Sequence, residues 1–119
     1  MVLVIWAGTF PRLEAQVLGQ VKVVAGGFHT LALGSDGRLW GWGLNEHGQL
    51  GDGTTQDRAL PSPIPQPPGQ VIRSLAAGEG HSVLLTRDGR LFASGRNDRG
   101  QLGNGSTTAS VNWIEVKGI

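Results

Sequence analysis

The stretch GRLWGWGLNEHGQLG, Gly37 to Gly51, returns as GRLFASGRNDRGQLG, Gly89 to Gly103. The offset is 52 residues, and it also relates His29 to His81, Asp36 to Asp88, Asn45 to Asn97, Gln49 to Gln101 and Leu50 to Leu102. No gap is needed from Ala25 to Thr55, and 16 of those 31 positions are identical in the second copy. The chain is therefore read by its unit. A period of about 50 belongs to propellers and similar arrays, whose units bury their faces on neighbours and need about three or more of them.

Within a unit the pattern is that of short strands. Val21 to Ala25 is a β-branched run that breaks at Gly26-Gly27. Phe28 to Leu33 is a short apolar run, expected as a strand buried on both faces rather than a helix of that length. Asp36-Gly37 is a hairpin turn, since glycine supplies the positive φ that a tight reversal needs, and Leu39 to Trp42 returns as the partner strand. Gly43 to Gly53 holds four glycines in eleven residues and must be a compact loop. Leu50 sits alone among its polar residues as a plug into the core. The prolines of Pro61-Ser62-Pro63-Ile64-Pro65 confine any strand there to a sheet edge, and 65 to 69 link the units. The second unit repeats the plan: Val71 to Ala77, a hairpin of His81 to Thr86 and Leu91 to Ser94 around Asp88-Gly89, a loop anchored by Leu102, and a last strand at Val111 to Val116. Three or four antiparallel strands per unit are predicted.

These boundaries divide the chain into 1–20, 21–70 and 71–119. In the first segment, Val4-Ile5-Trp6-Ala7-Gly8 has the spacing of Leu39 to Gly43, which makes it either the remnant of a third, shortened unit or a separate apolar strand over an exposed sheet face. Met1 to Trp6 is apolar but lacks a basic start, and it is too short for a signal-peptide core or a membrane span.

Composition narrows the chemistry. Ten basic residues against nine acidic, net +1, give no electrostatic reason to expect nucleic acid or a membrane surface. The absence of cysteine excludes disulfides, thiolate metal sites and thiol catalysis. No ligand set at metal spacing is seen. Asp52 and Asp57 flank a Gly-Thr-Thr-Gln loop, but the further carboxylates of a calcium loop are missing. There is no nucleophile elbow and no dinucleotide fingerprint. No cofactor and no enzymatic activity are expected. His29 and His81 hold equivalent places on equivalent strands and are read as structural, each filling the same slot in its own unit. Gln49 and Gln101 are read as satisfying backbone groups of a loop that lacks strand partners. Trp40 and Trp42 are expected to pack between units.

Taken together, Gly26-Gly27-Phe28-His29-Thr30, Asp36-Gly37-Arg38-Leu39, Trp42-Gly43-Leu44-Asn45 and Gly48-Gln49-Leu50-Gly51 resemble one repeat of the regulator of chromosome condensation family. Gly80-His81-Ser82, Asp88-Gly89, Gly95-Arg96-Asn97 and Gly100-Gln101-Leu102-Gly103 resemble a second, with Ser94 where the family often has tryptophan. The resemblance implies an all-β fold, two consecutive blades of an incomplete β-propeller whose complete form commonly has seven. Two blades leave an apolar face at each end, so either the sequence is a fragment or an atypical short member, or it self-associates, closing as a trimer or tetramer.

Function is then expected on the loops, where recognition residues gather on a rigid frame. Glu46, His47, Arg87, Arg96 and Arg99 form the candidate partner-binding surface, because arginine suits carboxylate and aromatic contacts at protein interfaces. The expected role is a non-enzymatic protein-interaction module. The resemblance also implies two alternatives: nucleotide exchange on a small GTPase, or inhibition of an enzyme by capping it.

Overall fold

A computed structural model describes residues 22–117; segment 1–20 and its reading as a remnant unit lie outside the described residues. Among the described residues eight strands form two sheets. β1 (Lys22–Ala25), β2 (His29–Leu33), β3 (Leu39–Gly43) and β4 (Arg58–Pro63) pair in that order, as do β5 (Ile72–Ala77), β6 (His81–Thr86), β7 (Leu91–Gly95) and β8 (Ser110–Glu115). All neighbours are antiparallel. The fold is all-β, with four strands per unit and two propeller-type blades that do not close into a ring.

The 52-residue offset survives in the register. His29 faces Gly43 and His81 faces Gly95; Gly41 faces Ser62 and Ala93 faces Ile114. Even the irregularity between the third and fourth strands recurs, at Gly41/Gly43 and Ala93/Gly95, although RALPSP and SVNWIE share no pattern. The fourth strand is held by its partner and by the loop before it, not by its own sequence. It lies at the sheet edge, where Pro61 and Pro63 of β4 cost no ladder hydrogen bond. Both hairpins turn on a glycine at positive φ, Gly37 at 85° and Gly89 at 89°.

One face of each sheet meets the other sheet. Alternation puts Leu31 and Leu33 on one face of β2 and Ala32 on the opposite one. The main core joins Leu31, Leu33, Leu39, Leu50 and Ile64 of the first blade to Ile72, Leu84 and Phe92 of the second. β5 packs against β1 and β2, whereas β4 and β8 do not approach each other. The sheets therefore splay like wedges, and the loop from 44 to 57 fills the widening gap. There Leu50 is completely buried, a burial contributing about 1.5 to 3 kcal/mol.

One expectation is corrected. Phe28 is not part of a doubly buried strand: it precedes β2 and is 73% exposed. Trp40 and Trp42, expected between units, lie on the side of the first sheet away from the second blade. They belong to a separate cluster with Ala32 and Val23, and their pairing with Ala32 and Thr30 puts them on the face of the first sheet turned away from the second.

Candidate protein-interaction site

The long loops after β3 and β7 carry most of the candidate residues, and each is wound around one asparagine. Asn45 Nδ2 donates to Asp52 Oδ1 (3.1 Å) and to the carbonyls of Thr54 and Gln56 (both 3.0 Å), while Asn45 Oδ1 accepts from Leu50 N (3.0 Å). Asn97 repeats this with Asn104 (3.3 Å), Ser106 (3.0 Å), Thr108 (2.9 Å) and Leu102 N (2.9 Å). Next to it, Gln49 Oε1 accepts from His47 N (2.9 Å) and Gln101 Oε1 from Arg99 N (2.8 Å). Asparagine and glutamine amides thus do for these loops what a ladder does for strands. The first loop adds charge. Asp52, whose side chain is 5% exposed, takes the Arg58 guanidinium at 3.0 Å. Burial alone would raise its pKa, but the hydroxyl and backbone of Thr54, then Asn45 and Arg58, hold it below the usual value.

Behind the loops a hydrogen-bonded relay joins the blades. Ser82 Oγ donates to the Gln49 carbonyl (2.6 Å), so the bond between Ser82 Oγ and His29 Nε2 (2.8 Å) runs from imidazole to hydroxyl. His29 is thereby fixed as the neutral tautomer protonated at Nε2. Burial first, and the charge of His81 second, push its pKa below the ordinary histidine value, against a backbone hydrogen bond at His81. Ser82 is itself fully buried. Both side chains are buried, and their bond joins the two sheets.

At the loop end of the molecule, His47 and Arg96 converge over Gly80, both about 3.3 Å from where a Cβ on that residue would stand. They line a shallow depression of about 350 Å³ with Asn97, Asp98, Thr107 and Ala109. Arg96 is gripped by Asp98 through two 2.9 Å hydrogen bonds. That grip, with the charges of Asp98, Glu79 and Glu46, raises the guanidinium pKa, and Arg96 holds the Asp98 carboxyl below its usual value. Glu46 lies 3.5 Å from His47. One step away, Gly27 packs on Glu79 and donates to the Gly78 carbonyl (3.2 Å), and the residue that follows it, Phe28, is 73% exposed. Arg99 is exposed on the same loop.

Glu46, His47, Arg96 and Arg99 are thus brought to one end. Arg87 is not: it follows β6 at the opposite, hairpin end, donating its backbone N–H to the Val71 carbonyl (2.8 Å). Sequence reasoning missed Phe28, whose apolar character reads as core, and Glu79. The signal that could have found Phe28 is its counterpart at the 52-residue offset, Gly80, since a core position does not alternate between phenylalanine and glycine. Among the described residues no group of three could hold a metal ion, and no helix is long and apolar enough to cross a membrane.

Two sequence profiles for the regulator of chromosome condensation (RCC1) repeat match this chain, one over residues 36–85 and one over 20–49 and 72–101. The chain belongs to the RCC1 repeat family. The match over 36–85 runs from the β2–β3 hairpin to β6, so the sequence repeat of an RCC1 unit straddles two sheets. Human RCC2 is 45% identical over 83 residues, 70% of this chain and 16% of that protein. The human probable E3 ubiquitin-protein ligase HERC4 is 38% identical over 110 residues, 91% of this chain but 10% of its own length. The solved structure of yeast RCC1 (Prp20) bound to Kap60 superimposes with a TM-score of 0.70 at 33% identity, over 82% of this chain and 26% of that one. This chain thus spans a tenth to a quarter of the relatives it matches, and what is similar is their propeller repeats.

Proposed function

We propose that this RCC1-type repeat pair is a non-enzymatic protein-interaction module whose loop end is the contact surface. The observation that carries this reading is the exposed Phe28, next in the chain to Gly27, which packs on Glu79, at the end of the molecule where Glu79 and Glu46 act on Arg96 and where His47 and Arg96 converge over Gly80. An aromatic anchor edged by arginine is the composition that distinguishes protein interfaces from ordinary surface. Prp20p of Saccharomyces cerevisiae, similar at 33% identity, has been studied for its binding to Gsp1p and histones, which makes these the first partners to test. The measurement is affinity capture of each by the wild type and by Phe28→Asp and Arg96→Glu, with the circular dichroism of each variant checked. Binding lost in both correctly folded variants supports the loop end as the contact surface; binding retained in both overturns it. A nucleotide-release assay on Gsp1p separates the alternative: acceleration by the wild type would favour exchange activity over binding alone.

A further inference from the structure

The hairpin end carries a second surface of different character. Between the β2–β3 turn and the start of β5 runs a groove of about 580 Å³, lined by Lys22, Arg73 and Arg87, by Asp36 and by Val71 above Leu33. Three cations face one carboxylate, and Asp36 is already answered by Arg38, whose backbone N–H it accepts at 3.0 Å and whose guanidinium lies 3.9 Å away. Elsewhere Arg58 pairs with Asp52, Arg90 with Asp88 and Arg96 with Asp98, whereas exposed Arg99 stands in no ion pair among the described residues. Among the described residues the guanidiniums of Arg73 and Arg87 have no acidic partner. Lys22 Nζ donates to the Arg73 carbonyl (2.7 Å), which holds its charge at the groove and leaves further N–H donors open. Val71 adds an aliphatic surface, 51% exposed, to the same lining.

Repetition does not explain the cations. Arg87 stands where the first unit has Ser35 and Arg73 where it has Val21, so the blade folds without a basic residue at either place. A groove with surplus positive charge and an apolar floor fits an extended segment that carries carboxylates on both sides of an aliphatic residue. We infer that this groove docks an acidic segment of a partner protein, independently of the loop end.

The test is fluorescence anisotropy of a labelled peptide of glutamates around a central leucine, titrated with the full chain. Wild type binds it, and raising sodium chloride from about 0.05 to 0.3 M weakens binding several-fold through screening. Arg73→Glu with Arg87→Glu weakens it at least about tenfold, equivalent to about 1.4 kcal/mol. The milder Arg73→Gln with Arg87→Gln weakens it less, and Lys117→Glu, a like charge change away from the groove, leaves it within about twofold. Circular dichroism checks that each variant is folded. No binding by the wild type, unchanged binding in both folded double variants, or tighter binding of single-stranded DNA of equal charge would overturn the assignment.

Discussion

The loops after β3 and β7 have the same sequence skeleton and the same hydrogen bonds, yet one is interior and the other surface. Gly51 lies under the Trp113 ring and Gly48 against the Val111 backbone of the second blade, and Gly53 N donates to the Val111 carbonyl at 2.9 Å. At the equivalent places, Gly103 meets only Val116 of its own blade and Gly100 meets nothing. Gln49 is fully buried where Gln101 is half-buried, and His29 is buried where His81 is half-buried. The same contrast runs along the strands: β2 is covered on both faces, whereas in β6 every second residue is half-exposed. What differs is only whether another sheet lies over the repeat. Such a pair separates what a repeat contributes by itself from what its neighbour adds.

Substituting the plugs probes that separation most strongly. Leu50→Ala should cost about 3 to 5 kcal/mol, because Leu50 belongs to the joint core of both sheets and rigid surroundings on both sides keep the cavity open. Leu102→Ala should cost about 2 to 3 kcal/mol, since one side of its loop can relax into solvent. Urea unfolding measures both, and equal costs would mean that the second sheet adds nothing to the first loop. The glycines refine the comparison. Gly51 and Gly103 share a positive φ, 70° and 66°, so alanine strains each backbone by about 1 to 2 kcal/mol. Gly51→Ala must also displace Trp113 and should exceed Gly103→Ala by about 1 to 3 kcal/mol, a gap that thermal melts at matched pH can read.

The His29 relay makes the inter-blade contact sensitive to pH. A histidine whose folded pKa is depressed binds more protons when unfolded, so its contribution is complete above the ordinary value of about 6.5 and is lost as pH falls below it. Unfolding free energy should therefore fall as pH drops from about 7 to 5, and this slope should flatten in His29→Gln. An identical slope in the variant would place the sensitivity elsewhere. The smallest effect is expected from Asp52→Asn, which gives the first loop the amide that Asn104 provides in the second. The loss should be about 0.5 to 1.5 kcal/mol at neutral pH. Because the Asp52 pKa is lowered in the fold, the difference from wild type should vanish as pH drops below about 4, which denaturant titrations at two pH values can test.

Much of this was legible in the chain because the repeat aligns without gaps: turns at Asp36-Gly37 and Asp88-Gly89, strands on either side of them, and a leucine isolated in each polar loop. The site was less legible. Phe28 has the hydrophobicity of a core residue, and nothing local says that its backbone turns before β2 begins. Arg87 lies nine residues from Arg96 in sequence, yet a β-strand carries it to the far end of the sheet. For Trp40 and Trp42, alternation sorts residues into two faces without saying which one meets the next sheet.

The sequence by itself determined the blade: its period, its hairpins, its edge strand with prolines and its amide-wound loops, all set by contacts within about fifty residues and therefore repeated wherever the residues repeat. Only the tertiary structure decided which copy of each shared residue is buried, which charges gather at the loop end and which stand unpaired at the hairpin end. Those outcomes depend on how one wedge leans on the next, and packing between sheets is a property of the pair that neither unit encodes alone.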